Sequence, residues 1–298
     1  MRTIPFLLAF TLGAGLAALP APARANRQAF IALATTARKD YVQRRPGPDG
    51  AARPETYVFY QGEVFTGDTR DRALASVPFL TIAQVLARNL ASANYRPVQD
   101  PAGAELMIGV SWGVTTVSDD SLQVAQQQDL QNALTDFNGG FGSTNPNSPR
   151  PAGKTVMDTA LGAPRPSAQA LNDQLGIADQ VQGLKDKAIT YNANLLGFTE
   201  AVKKERQAQA ATSQQVRSPA NSLQAMLDQP RFFIILTAYD NQLRLKQRTL
   251  KILWTARLSV QAAGNTFPGV LPALGRELAA GAGRQLPGLR IEAVDLSN

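Results

Sequence analysis

Two runs of alternating residues flank a short polar segment in residues 230–260, and together they limit the folds open to this chain. The first run, RFFIILTAYD at 231–240, carries apolar residues on both faces of the predicted strand, which is typical of a central strand covered on each side. The second run, KILWTARLSV at 251–260, places Trp254 and Leu258 on an apolar face opposite a more polar one. The pattern predicts a hairpin at the centre of a sheet, with its turn at NQLRLKQRT and no recognisable catalyst within it.

A third strand is predicted at 105–117, because its residues also alternate. Trp112 lies with the apolar residues of one face, whereas Gly109, Ser111 and Gly113 make the opposite face nearly flat. Glycine inside a strand indicates that another backbone, a ligand or a packed element approaches closely. The sequence favours docking of a helix from the same chain on this flat face, with a ligand as the alternative. We expect Trp112 and the tryptophan of the hairpin to be buried in one core.

The remaining patterns divide the chain into an α+β sandwich and an insertion. Apolar spacing predicts an N-terminal helix over 26–43, which a Pro- and Gly-rich linker at 44–55 separates from the main domain. That domain comprises 56–118 and 230–298, and its element order predicts a mainly antiparallel sheet with helices packed on it. Residues 119–229 are predicted to form a long helical, partly low-complexity insertion with flexible linkers.

The N-terminus has the features of a secretory signal. An apolar run at 4–19 follows Arg2, and Ala23-Arg24-Ala25 supplies the small-x-small pattern that signal peptidase requires. The run is shorter than the ~20 residues of a spanning helix, so a cleaved signal peptide over 1–25 is favoured over a retained anchor. No later apolar run is long enough to span a bilayer. We therefore expect a periplasmic or secreted protein that is not membrane-spanning.

Neither cysteine nor histidine occurs in the sequence. The absence of cysteine excludes a lipidated N-terminal cysteine, disulfides, thiolate catalysis and thiolate zinc sites. The absence of histidine removes the commonest general base and the commonest metal ligand, so Ser-His-Asp triads and zincin sites are excluded as well. We predict no cofactor and no metal site.

Charge also limits the partners. Removal of Arg2 and Arg24 with the signal leaves 28 Lys+Arg against 23 Asp+Glu, a net charge of +5. This mild excess favours anionic envelope surfaces, but the sequence lacks the dense basic stripe that nucleic-acid binding requires. We therefore expect no nucleic-acid partner.

Three short motifs resemble catalytic signals. Residues 109–113 match GxSxG, but strand alternation runs through them and no histidine exists to activate Ser111. Residues 153–155, GKT, lack the preceding glycine and strand of a phosphate-binding loop. Asp119-Asp120 and Asp240 are favoured as turn carboxylates, and a carboxylate cluster for a divalent cation is the alternative.

A helical stripe inside the insertion is the first candidate interaction surface. Its apolar residues follow one another at spacings of four and three, which is the pattern of a coiled-coil seam or of a helix docked in a groove. Leu195 and Phe198 are the residues that we expect to carry the contact, either with the flat strand face or with a second copy or another envelope protein. The stripe consists of Ile177, Val181, Leu184, Ala188, Tyr191, Leu195, Phe198 and Val202.

The hairpin turn is the second candidate surface. Arg244, Lys246 and Arg248 alternate with leucines, which would place three cations on one side of a ribbon if the strands extended that far. A charged tip that keeps the hairpin soluble is favoured. The alternative is a basic surface for anionic lipid headgroups, glycan or an acidic protein face.

Several segments together resemble a bacterial envelope lipoprotein family of unknown function. These are TYVFYQGEVF at 56–65, LARNL followed by ANYRPV at 86–98, AELMIGVSWG at 104–113, and KILWTARLSV at 251–260. The resemblance implies a small periplasmic α+β sandwich, and the family offers no catalytic residues to transfer. This chain departs from it by lacking the lipidated cysteine and by carrying the long insertion.

The sequence favours a secreted, non-enzymatic binding or assembly protein of the cell envelope whose partner is an envelope protein, an anionic surface or a second copy. The alternative is a carboxylate-dependent hydrolase with a bound divalent cation.

We predict that the mature chain begins at Asn26, because the leader ends in a cleavage site. N-terminal sequencing of the protein recovered from its native envelope should therefore read NRQAF. Finding Met1 intact on membrane-bound protein would contradict the prediction.

Overall fold

A seven-stranded sheet forms the centre of the computed structural model, which describes residues 28–47, 50–67, 72–117, 168–211 and 223–296. The strands are β1 Gln28–Ala37, β2 Glu55–Phe65, β3 Tyr95–Pro97, β4 Leu106–Val114, β5 Arg231–Asp240, β6 Ile252–Gln261 and β7 Arg290–Asp295. Their order across the sheet is β3-β2-β4-β5-β6-β1-β7. β2 runs parallel to β3 and β4, and every other neighbouring pair is antiparallel, so the predicted mainly antiparallel α+β fold is confirmed.

Helices cover both faces of this sheet. Those described are α1 Lys39–Arg44, α2 Arg72–Ala75, α3 Phe79–Leu90, α4 Ala168–Leu196, α5 Thr199–Ala211, α6 Leu223–Leu227, α7 Asn241–Gln247 and α8 Phe267–Gly281. α3 and α8 pack on the face that carries Trp112 and Trp254, which we call the core face. α4, α5 and α6 belong to the insertion and pack on the opposite face, which we call the insertion face.

In each of the three predicted central strands, the face that the sequence predicts to be apolar packs in the core. On β4, β5 and β6 the alternating apolar residues are buried in one cluster with α3 and α8. Trp112 stacks on Phe79 at 5.8 Å between ring centroids, and Trp254 lies 5.6 Å from the ring of Tyr95. The shared core predicted for the two tryptophans is confirmed.

The helix predicted over 26–43 is wrong, because residues 28–37 form strand β1 and only α1 follows as a short helix. β1 lies between β6 and β7, and its residues from Ile31 to Thr35 are all buried, so the middle of the strand is covered on both faces. A strand buried on both faces carries apolar residues at adjacent positions, some of which fall at helical spacing by chance, and the periodicity therefore resembled that of a helix. The sheet domain therefore begins at Gln28, and the predicted linker at 44–55 lies inside it.

The atoms nearest to Gly109 and Gly113 on the flat face of β4 belong to β2 and not to an insertion helix, so the docking predicted at these glycines is wrong, although the insertion packs elsewhere on the same face of the sheet. A Cβ added to Gly109 would lie 2.5 Å from the hydroxyl of Tyr60, and one added to Gly113 would overlap the backbone of Phe65. β2 itself is one continuous strand whose register with β4 shifts between Gln61 and Val64. Gly109 therefore makes room for the side chain of Tyr60, and Gly113 makes room for the chain at Phe65.

We expect Trp254→Ala to lower the free energy of unfolding by about 3–5 kcal/mol, because the indole is fully buried against Tyr95. Leu80→Ala is the matched control, since Leu80 is 66% exposed on α3 and its truncation should cost less than about 0.5 kcal/mol. Urea denaturation measures both changes.

Iodide should leave the native tryptophan fluorescence largely unquenched, because both indoles are buried. Complete quenching would show that the strand faces are assigned backwards.

Candidate functional site

The insertion leaves and rejoins the sheet at one closed neck. Thr115, directly after β4, extends the antiparallel pairing to Arg231, the first residue of β5, and its amide donates to the Arg231 carbonyl at 3.0 Å. The side-chain amide of Asn192 on α4 donates to the carbonyls of Thr116 at 2.6 Å and Leu227 at 3.0 Å. One buried side chain thus ties the helix to both ends of the neck.

The docked side of the insertion forms a second, smaller core. Ile189, Ala193 and Leu196 of α4 are buried together with Phe198 just before α5. The sheet contributes residues of two strands to this cluster, including Ala32 of β1 and Phe233 of β5, and Phe233 lies 5.4 Å from the ring of Phe65. The insertion is therefore held by apolar burial as well as by the neck.

The predicted stripe is interrupted at Gly197, where α4 ends. Gly197 has φ of +78°, and its amide donates to the Asn194 carbonyl while the amide of Phe198 donates to the Ala193 carbonyl at 2.7 Å. This pair of hydrogen bonds is a Schellman motif, in which a left-handed glycine is followed by an apolar residue that turns inward. The sequence LLGF carried this signal, which the helical periodicity obscured.

The interruption separates the two residues predicted to carry the contact. Phe198 is fully buried in the second core, whereas Leu195 is half-buried at the edge of α4. Farther along α4, Ile177, Leu184 and Tyr191 are exposed, with Leu184 reaching 61%. Since these three residues are seven apart, α4 has an apolar seam on a side other than the one packed on the sheet. We call this the outer seam, comprising Ile177, Val181, Leu184, Ala188, Tyr191 and Leu195.

Two arginines lie on the insertion face with no carboxylate partner among the residues described. Arg231 donates to the hydroxyl of Ser259 at 3.1 Å and to its carbonyl at 3.2 Å, and burial lowers the pKa of Arg231 to about 10. The aliphatic part of the Arg257 side chain lies against Gly197 at the carboxyl end of α4. Burial lowers the pKa of Arg257 also. A helix carboxyl end attracts a cation, so Arg257 has a structural role there.

The cations predicted on a basic ribbon lie on and beside α7, because the hairpin strands stop at Asp240 and start again at Ile252. Arg244 is half-buried and donates to the side chain of Asn241 at 3.0 Å and 3.1 Å. Lys246 and Arg248 are exposed. The ribbon geometry was therefore wrong, since a helical turn spreads the three cations around its axis.

A buried polar cluster joins α1 to β2 at the same end of the sheet. The Arg45 guanidinium donates to Glu55 at 2.9 Å and to the hydroxyl of Tyr41 at 2.7 Å, and it lies 3.9 Å from the ring centre of Tyr95. Tyr41 also donates to Glu55. Burial raises the pKa of Tyr95 to about 12 and that of Tyr41 further. Each member bonds another member, so the cluster fixes the turn after α1.

The motifs that resemble catalytic signals have structural roles wherever the structure describes their residues. The hydroxyl of Ser111 accepts from the Glu63 amide at 3.1 Å inside an unbroken strand. Asp240 caps α7, accepting from the Leu243 amide at 2.9 Å. Asp119-Asp120 and the GKT motif lie outside the described residues. Within the part of the chain that the structure covers, no three acidic residues are grouped to hold a metal ion.

Comparisons with known proteins give no family and a structural similarity at low sequence identity. No protein-family model matches the sequence, and no curated protein matches it. Among solved structures, the chain is similar to a DUF4136 family protein from Bacteroides thetaiotaomicron VPI-5482. The identity is 10%, the match covers 83% of this chain and 91% of the other, and the TM-score is 0.28. In the described residues, no helix has the length and apolarity that a bilayer crossing requires.

Asn192 was missed by sequence reasoning, because a lone asparagine in a helix gives no periodic signal. We expect Asn192→Ala to lower the free energy of unfolding by about 1–3 kcal/mol, since two neck carbonyls lose their donor. Asn194→Ala is the control, because its exposed side chain accepts one bond from Thr199 and should cost less than about 1 kcal/mol. Equal losses in urea denaturation would contradict the role of the neck.

Proposed function

We propose that the protein is a secreted, non-enzymatic binding or assembly protein of the bacterial cell envelope, acting in the periplasm or outside the cell. The observation that carries the proposal is the outer seam of α4, which leaves large apolar side chains in solvent. The apolar leader supports the location.

The seam suits a second helix because of its period. Its residues alternate at spacings of four and three from Ile177 to Leu195, a repeat of 3.5 residues that keeps one stripe facing a partner helix. The side that packs on the sheet uses Ile189, Ala193 and Leu196, and of the seam residues Leu195, at the end of the helix, also packs against this second core. One helix therefore has an inner side that holds the fold and an outer side available for assembly.

The occupant that we propose is α4 of a second copy in antiparallel orientation. In that arrangement Leu184 of each copy faces Val181 of the other, and Ile177 faces Ala188, so that large residues oppose smaller ones. A single twofold axis then relates the two copies, and the contact closes without forming a fibre. The lysine nearest the middle of the seam, Lys185, already pairs with Asp228 of its own chain and adds no like-charge repulsion.

We expect sedimentation velocity to show a concentration-dependent dimer that Leu184→Asp weakens by at least about 100-fold, or about 3 kcal/mol, because each copy would bury an unpaired carboxylate. The melting temperature of the monomer should not change, since Leu184 is exposed there. Thr190→Asp is the matched control on the same helix, because Thr190 is exposed and lies outside the seam.

Phe198→Asp separates folding from assembly. Phe198 is fully buried, so the substitution should lower the melting temperature sharply. A wild-type protein that stays monomeric at every concentration would contradict pairing through the outer seam.

A further inference from the structure

An exposed segment of mixed apolar and basic residues extends from the last turn of α7 to the first residue of β6. From Leu245 to Ile252 the chain reads LKQRTLKI, and every residue of it is exposed except Lys251, which is half-buried. Leu250 is 62% exposed and has cations on both sides in the sequence. An exposed run that combines three leucine or isoleucine residues with three lysine or arginine residues is unusual for a surface in contact only with water.

Helix α1 extends this surface beside the segment. Lys251 bonds Asp40 at 3.0 Å, and the amide of Arg38 donates to the carbonyl of Leu253 at 2.9 Å, so the two elements lie side by side. α1 adds exposed Val42 together with the cations Lys39 and Arg44. We call the combined surface the basic end, comprising Lys39, Val42, Arg44, Leu245, Lys246, Arg248, Leu250 and Ile252.

The charge of the basic end is not neutralised within the described residues. Asp40 already accepts from both Arg38 and Lys251, and these bonds hold its pKa at about 2. Lys246 and Arg248 form no ion pair with any described residue. The surface is therefore cationic at every physiological pH.

We propose that the basic end docks on the surface of an anionic lipid bilayer. A soluble anionic polymer would satisfy the cations but would leave Leu245, Leu250 and Ile252 in water, and an acidic protein would need an apolar patch of matching shape beside its carboxylates. A bilayer interface offers both chemistries at once, because phosphate headgroups lie directly above acyl chains. Long lysine and arginine side chains reach the headgroups while neighbouring apolar side chains enter the interface. This proposal goes beyond the function of the outer seam and does not depend on it.

The test is flotation of the chain from Asn26 onwards with lipid vesicles, so that the apolar leader contributes no membrane affinity. Vesicles containing phosphatidylglycerol and phosphatidylcholine should bind the protein, and vesicles of phosphatidylcholine alone should not. Each cation near an anionic surface contributes about fivefold in affinity, so Lys246→Glu with Arg248→Glu should weaken binding at least about 25-fold. Raising the salt concentration should weaken it too.

The apolar contribution is tested separately by Leu250→Asp with Ile252→Asp, which we expect to weaken binding at least tenfold. Matched controls are Leu80→Asp, at a residue 66% exposed on α3, and Lys203→Glu, at an exposed lysine of α5. Neither control should change flotation. The melting temperature of every variant should equal that of wild type, because the substituted side chains are exposed.

Three results would overturn the proposal. The first is no flotation with anionic vesicles, and the second is equal flotation with neutral vesicles. The third is binding that survives Leu250→Asp with Ile252→Asp but is lost with the charge reversals and transfers to a soluble polyanion, which would identify an anionic polymer or acidic protein as the partner.

Discussion

Burial of β5 on both faces is the constraint on which the rest of the structure depends. Ile234 packs against α3 and α8 on the core face, and Phe233 packs against α4 and α5 on the insertion face. A sheet whose central strand is apolar on both sides cannot leave either face in water. The insertion is therefore a second layer that the sheet requires, and the domain has two cores on opposite faces of the sheet, to both of which β1 and β5 contribute.

Much of the sheet could be predicted, because alternation reports the burial of each strand directly. The sequence predicts the buried faces of β4, β5 and β6 correctly over most of their length, since Val110 and Val114 flank Trp112 and Ala256 follows Trp254 in the core. Ile252 at the start of β6 is the exception, because it is 48% exposed. β1 was read as a helix, since a strand covered on both sides loses its alternation. Which strand lies beside which is a non-local property, and no local pattern placed β1 between β6 and β7.

The candidate surfaces show the same division between local and non-local information. The apolar period of α4 was visible in the sequence, but its break at Gly197 depends on one backbone conformation and its docked side depends on the distant Asn192 contacts. Cations were found correctly near the hairpin turn, yet their arrangement was not, because a short helix capped by Asp240 replaces the ribbon. The contribution of α1 to the basic end arises only from tertiary contacts such as that of Lys251 with Asp40.

The closed neck allows the insertion to change without a change in the sheet. Thr115 and Arg231 are antiparallel partners, so the chain leaves and rejoins the sheet one strand spacing apart, about 4.8 Å. That is the geometry that a two-residue turn closes in an ordinary β-hairpin. The sheet topology therefore does not depend on the length of the insertion that stands in place of the turn. A single genetic event could lengthen, shorten or exchange this insertion without altering the strand order. Selection acts instead on coverage, because any replacement must shield Ala32 and Phe233 from water.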